Sequence, residues 1–233
     1  METYLFTLRW IHFLAGVTWI GLLYYFNLVQ TPFFAKAEAP VKNGMIQKLV
    51  PDALGWFRWG AMFTFLSGIL MYMAKLHQLG GGSGFFNTSY GWAITTGGLL
   101  GTLMFLNVWL VIWPKQKIVI ASTTQVAQGG QALPTAAAAG RRAALSSRTN
   151  FVFSIPMLFF MGAASHFTLF YDASEGCKWG IAFFLAVVIG ALELNSLIGS
   201  QGPTKKPLDS VKGAITAGFA LTAVLFILFK LLF

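Results

Sequence analysis

The sequence predicts an all-α integral membrane protein, a bundle of about six transmembrane helices, with both termini on the outer, periplasmic side. Three observations lead there. Of 233 residues, 56% are hydrophobic and 10% charged, whereas a soluble domain carries roughly 25% charged residues. The mean hydropathy is +0.68. Six stretches reach the roughly 20 mostly apolar residues that a helix needs to cross the hydrocarbon core, and Lys and Arg concentrate in alternate loops between them.

Taken in order, the spans are expected at 5–29, 54–76, 92–113, 150–171, 179–198 and 214–233, within a single membrane domain covering 1–233. The first is too long and too rich in Trp, Tyr and Asn for a signal-peptide core, so it is expected to be a retained helix. Residues 31–53, with Pro32, Pro40 and Pro51, read as a polar connection holding a short surface helix. The run GGGSG at 80–84 suits a turn or a flexible linker. In the long connection 114–149, the Ala-rich stretch 135–148 reads as a helix along the headgroups, with Arg141 and Arg142 on anionic lipid, or as a partly disordered loop.

Orientation follows from the basic residues. Lys36, Lys42 and Lys48 lie in the first loop, and Lys115, Lys117, Arg141, Arg142 and Arg148 in the third. Lys205, Lys206 and Lys212 lie in the fifth, while the second and fourth offer only Lys75 at an edge and Lys178. By the positive-inside rule the odd loops are cytoplasmic, as in a multi-pass protein of a bacterial inner membrane. The net charge of +9 therefore reflects topology, and no nucleic-acid partner is expected. The single cysteine, Cys177, excludes an internal disulfide and a cysteine metal cage.

Polar side chains inside a membrane helix are costly and point to function. His12 on the first span and His166 on the fourth both fall roughly 8–11 Å below the outer surface, at about 1.5 Å rise per residue. Two imidazoles at one depth on different helices suit the axial ligands of a heme b. Ala15 and Gly16 beside His12, and Gly162, Ala163 and Ala164 before His166, would leave room for a flat ring, walled by Phe13 and Phe167. Each histidine taken alone equally suits an interhelical hydrogen bond. His77, closing the second span, reads as an interfacial residue and stands as the substitute iron ligand.

Asn107 and Asn195 read as helix–helix hydrogen-bonders. Glu193 reads as an interface carboxylate reached by water or paired with Arg58 or Lys205, or as a proton relay. Arg9 suits either a heme propionate or snorkelling to headgroups. Pro156 needs only a local kink.

The segments RWIHFLAGVTWIG at 9–21, GWFRWGAMFTFLSG at 55–68, NVWLVIWPKQKIVIA at 107–121 and GRRAALSSRTNFVFSIPMLFFMGAASHF at 140–167 resemble the membrane-bound urate oxidase (urate hydroxylase) N-terminal domain family. The last is the most specific, through its arginine, asparagine, proline and histidine positions. The first is similar also to helices of the copper-resistance D family and of membrane protoporphyrinogen oxidases. In the urate hydroxylase family the membrane domain usually precedes a periplasmic cytochrome c domain. The resemblance therefore implies a redox membrane domain facing a cytochrome c, with His12 and His166 matching the family's histidines. The chain departs from the family in carrying no Cys-x-x-Cys-His motif.

The expected function is thus a heme b-binding subunit that transfers electrons at the periplasmic side, partnered by membrane lipid and by a cytochrome c or other membrane-complex subunits. The alternatives are a urate or related small-molecule oxidoreductase, for which Asn87, Tyr90, Tyr171, Asp172 and Glu175 are the outer polar candidates, and a cofactor-free accessory subunit. A transporter is disfavoured, because inverted repeats and broken helices are not evident.

Overall fold

Long helices running past their expected ends make the architecture. The computed structural model describes residues 2–170 and 175–232, and among them there is no strand. Six helices dominate: α1 Glu2–Lys36, α2 Ala39–Gln78, α3 Ser89–Ala127, α4 Ala136–His166, α5 Glu175–Leu197 and α6 Val211–Leu232. Five of these, all but α4, are long and apolar enough to cross a membrane. The chain is an all-helical, multi-pass membrane protein. The fourth expected span, 150–171, coincides with α4, whose helix ends at His166 with Phe167 extended. The last residue of that span, Tyr171, and Phe233 of the last one, lie outside the described residues.

α4 is the interior helix of the bundle, packed against α3, α6, α5 and α1. Its polarity is an interior one. Thr149, Asn150 and Ser154 are buried and lie among Phe151, Phe153, Met157 and Phe160. The core continues through Trp19 and Leu23 of α1, Phe57 of α2, Leu100 and Met104 of α3, Ile181 and Leu185 of α5, and Leu225 and Phe229 of α6. Lipid faces carry single exposed apolar side chains such as Phe6, Phe13, Phe63, Phe183 and Phe219, as a helix bundle in hydrocarbon requires.

Two expected connections are helical instead. Residues 31–53 do not form a separate surface segment. Thr31–Lys36 completes α1, Ala37 and Glu38 are extended, and Pro40 opens α2 in the first turn, where a missing N–H costs nothing. The Ala-rich 135–148 stretch is the first part of α4, with only residues 128–135 as a loop before it. At about 1.5 Å per residue, the 40 residues of α2 extend about 60 Å, twice the roughly 30 Å of hydrocarbon. The surplus gathers at one end, which also holds Lys36, Lys42, Lys117, Arg141 and Arg148 and is called the basic end below. The opposite end holds His77 and His166 and is called the histidine end.

Both long extensions pass a proline in the same way. A π-helical turn, Tyr25–Gln30, precedes Pro32, and a second, Asn107–Ile112, precedes Pro114. A proline ring clashes with the carbonyl four residues back and cannot donate to it. Widening the preceding turn moves that carbonyl aside and lets the helix continue. Pro156 in α4 is handled differently. The Val152 carbonyl that its ring leaves without a donor faces Gly218 of α6, where an added Cβ would lie 3.2 Å from that oxygen and 2.4 Å from Ile155 Cδ1. Only glycine lets α6 approach so closely. At the 80–84 run, Gly80 and Gly81 take φ of +82° and +78°, turning the chain into a short helix, Gly81–Phe86.

Candidate functional site

α1 and α2 meet along a stripe of small side chains. A Cβ on Gly60 would lie 3.1 Å from the Trp19 nitrogen and 3.3 Å from the Ala15 carbonyl, and one on Gly16 would lie 3.8 Å from the Thr64 methyl. Ala15 and Gly16, expected to make room for a ring, therefore make room for α2. Gly162 has open space around it, and Phe13 is exposed rather than walling a slot.

His12 sits in the same seam. Its imidazole passes so close to Gly68 that an added Cβ there would be 3.2 Å from Cε1, and its Nδ1 is 3.2 Å from Ser67 Oγ. The Ser67 hydroxyl proton is already committed, since it donates to Phe63 O at 2.6 Å, with Thr64 O at 3.1 Å. The Thr64 backbone also bonds the ring, so Ser67 and Thr64 together hold the imidazole in the seam. In the tautomer with Nδ1–H toward these oxygens, the neutral ring carries its lone pair on Nε2. Fixing one ring nitrogen so that the other stays basic is how proteins prepare an imidazole for iron. The donor chemistry at His12 thus suits heme.

His166 is the last residue of α4 and is exposed, with Phe167 beyond it resting on Phe226 (centroids 5.9 Å apart) below Lys230. His77 lies exposed in the last turn of α2. α1 and α4 come together further toward the basic end, where Tyr24 packs on Phe151 (4.9 Å) and its hydroxyl accepts from Ser154 Oγ at 3.2 Å. Arg9 is exposed and close enough to Tyr90 to act on it electrostatically. Asn87 accepts a bond from Lys178. Tyr171, Asp172 and the side chain of Glu175 lie outside the described residues.

A polar cluster that the sequence did not single out as one unit crosses the bundle at Ser147–Asn150 of α4. Asn27, in the π turn of α1, donates to Ser147 Oγ at 3.1 Å and to Leu23 O at 2.9 Å. Asn107, in the π turn of α3, donates to Asn150 Oδ1 at 2.9 Å and Glu193 Oε2 at 3.0 Å, and Asn150 donates to Met104 O at 2.9 Å. Asn107 is the interhelical bonder expected of it, and it is the partner of Glu193. Arg58 instead stacks its guanidinium on Trp59, Trp109 and Trp113, the last at 4.2 Å, while buried Lys205 bonds Asn195. Asn195 ties its own connection, accepting from Thr204 Oγ1 at 2.7 Å, rather than bridging helices. Two asparagines, each next to a proline-adapted turn, were the available signal for this cluster.

Arg141 and Arg142 bond protein. Arg141 donates to Ser200 O at 3.0 Å and pairs with Asp209 at 2.7 Å. Arg142 donates to Ser196 O and to Gly199 O (2.9 Å), neutralising the free carbonyls at the end of α5.

No curated protein and no solved structure gives a significant match. A family profile, however, matches residues 84–226. The matched stretch runs from the turn before α3 into α6. It holds Asn107, Arg148, Asn150, His166 and Glu193, whereas His12 and Ser67 precede it. The match agrees with the resemblance carried by the segments at 107–121 and 140–167, and the chain belongs to the urate oxidase N-terminal family.

Proposed function

We propose that this chain is a heme b-binding membrane subunit that transfers electrons at the periplasmic face of a bacterial inner membrane, with a cytochrome c or within a larger oxidoreductase complex. The observation that supports the reading is the His12 imidazole held in the α1–α2 seam, its Nδ1 3.2 Å from Ser67 Oγ, an arrangement that suits an imidazole offering Nε2 to iron. His12 and His166 would hold the iron, with His77 as the substitute. Bound heme supplies one-electron redox chemistry. Ser67 orients the His12 ring, Gly68 permits its close approach, and the apolar side chains of α1 and α2 exclude water. Counting α4 among the spans gives six crossings. On that count the positive-inside rule favours both termini outside and the histidine end on the periplasmic side.

Reduced-minus-oxidised visible spectra and a pyridine hemochrome assay on the detergent-purified chain test this. A b-type band near one heme per chain is expected, lost in both His12→Ala and His166→Ala. Survival of the band in His166→Ala alone transfers the second ligand to His77. Absence of any band from well-folded protein supplied with heme would leave the cofactor-free accessory subunit, which the exposure of His166 and the packing role of Ala15 and Gly16 favour. Family membership favours the urate-related oxidoreductase as the other reading, and urate-dependent reduction of the band would select it.

A further inference from the structure

A cavity of about 430 Å³ lies at the basic end, enclosed by α1, α2, α3, α4 and the turn around Leu208 and Asp209. Part of its wall is apolar, including Phe34, Val50 and Leu54. The rest is polar and carries an excess of positive charge. Arg148 lines it and is 6% exposed. The guanidinium makes a single hydrogen bond, a long one of 3.4 Å from Nη1 to Asn27 O, and among the described residues no carboxylate stands within ion-pair distance. Arg141 in the same wall is already neutralised by Asp209. Lys42 lines the cavity too and has no bonded partner among the described residues, while Gln30 Oε1 is buried there without a donor.

A buried cation without a counter-ion is a costly arrangement, amounting to several kcal/mol for an uncompensated charge. An empty acceptor in the wall of the same cavity adds the penalty of a lost hydrogen bond. Guanidinium groups favour carboxylate and phosphate partners, whose oxygens match their paired donors. We infer that this cavity binds an oxyanion group, phosphate or carboxylate, on a molecule with an apolar portion, with Arg148 as its counter-ion. Gln30 accepts a hydrogen bond from the same molecule, and Phe34, Val50 and Leu54 cover the apolar part. The oxyanion comes from one of two sources, an anionic membrane lipid or a soluble organic acid. The site is separate from the histidines and does not rest on heme binding.

Native mass spectrometry of the detergent-purified full chain, with added phosphatidylglycerol or phosphatidylcholine, reads the lipid source. Thermal shift with benzoate reads the soluble one. Wild type is expected to retain one phosphatidylglycerol in preference to phosphatidylcholine, or to be stabilised by benzoate, and the arm that responds identifies the source. Arg148→Gln weakens that response about tenfold or more, the scale of one charge-assisted hydrogen bond, whereas Lys206→Gln, an exposed charge at the same end, leaves it unchanged. Gln30→Glu keeps the protein assessable if Arg148→Gln fails to fold. The new carboxylate pairs with Arg148, raises the melting temperature and abolishes the response. The proposal is overturned if wild type responds to neither probe, or if its response persists in Gln30→Glu. The heme spectrum is expected to be unchanged in Arg148→Gln and Gln30→Glu, so its loss elsewhere bears only on the redox reading.

Discussion

The two ends of the bundle are held together by different chemistry. Toward the histidine end, α1 and α2 touch through glycine, alanine and serine, with His12 on Ser67 in the seam, and most other polar contacts lie at the rim, such as Leu169 N–H on Ser89 Oγ at 2.8 Å and Lys230 on the Leu169 carbonyl at 2.6 Å. Toward the basic end, Asn27 of α1 and Asn107 of α3 bond Ser147 and Asn150 of α4, Arg148 of α4 reaches the Asn27 carbonyl, and Glu193 of α5 joins through Asn107. Membrane helices associate both ways, by close van der Waals approach of small residues and by interhelical hydrogen bonds. Here the two devices are segregated along the axis. The hydrogen-bonded end is the more directionally specified, because Asn27, Asn107 and Asn150 each have a partner on another helix. The small-residue end leaves room for an imidazole between the two helices, with Gly68 beneath the His12 ring.

Substitutions that exchange or remove these devices test the contrast. The largest effect is expected from Gly60→Leu, where the side chain must displace the α1 backbone at Trp19 and Ala15. A cost of about 3 kcal/mol should appear as loss of the monodisperse peak in size-exclusion chromatography and a lower detergent melting temperature. A variant as stable as wild type would show that the two helices are not tied through that stripe. Asn107→Leu comes next. It strips the donor from Asn150 and Glu193 at once, and about 1–2 kcal/mol of stability should go with it. Double substitution with Asn150→Leu should recover part of the loss, since the orphaned acceptor is removed as well.

Arg58→Met removes the cation stacked over three indoles but keeps a long apolar stem. A loss of about 1 kcal/mol is expected in thermal melts, along with a shift in tryptophan fluorescence. Ser67→Ala should change stability by less than about 1 kcal/mol. Its signature lies in the spectrum: the His12 imidazole is held less firmly, so the reduced b-type band should weaken or move while the fold persists. His77→Ala should alter neither stability nor spectrum, and a lost band would make His77 a ligand.

Much of the fold was legible because apolar length and charge asymmetry are local properties of the chain. They located every long helix and separated the basic loops from the others. Helix ends were less legible. Pro32 and Pro114 look like boundaries, yet the π turns before them carry the helices through, a remedy encoded in packing rather than in any one residue. The first part of α4, which reads as a headgroup helix or a loop, was not legible as interior helix, since a helix surrounded by other helices can be more polar than one facing lipid and hydropathy cannot tell the two surroundings apart.

At the site the division is similar. The sequence by itself determined a multi-pass helical membrane protein, placed His12 within a span and Asn107 as an interhelical bonder, and carried the family in the segments around α3 and α4. Tertiary structure decided which partner each polar group meets. It gave Ala15 and Gly16 to helix packing, Glu193 to Asn107 rather than to Arg58 or Lys205, and Arg141 and Arg142 to the α5–α6 connection rather than to lipid. It also left Arg148 facing a cavity with no counter-ion among the described residues. Composition and period report what a residue is and which helix carries it. A hydrogen bond depends on the rotation and offset of two helices, and those are fixed only when all the contacts in the bundle are satisfied together.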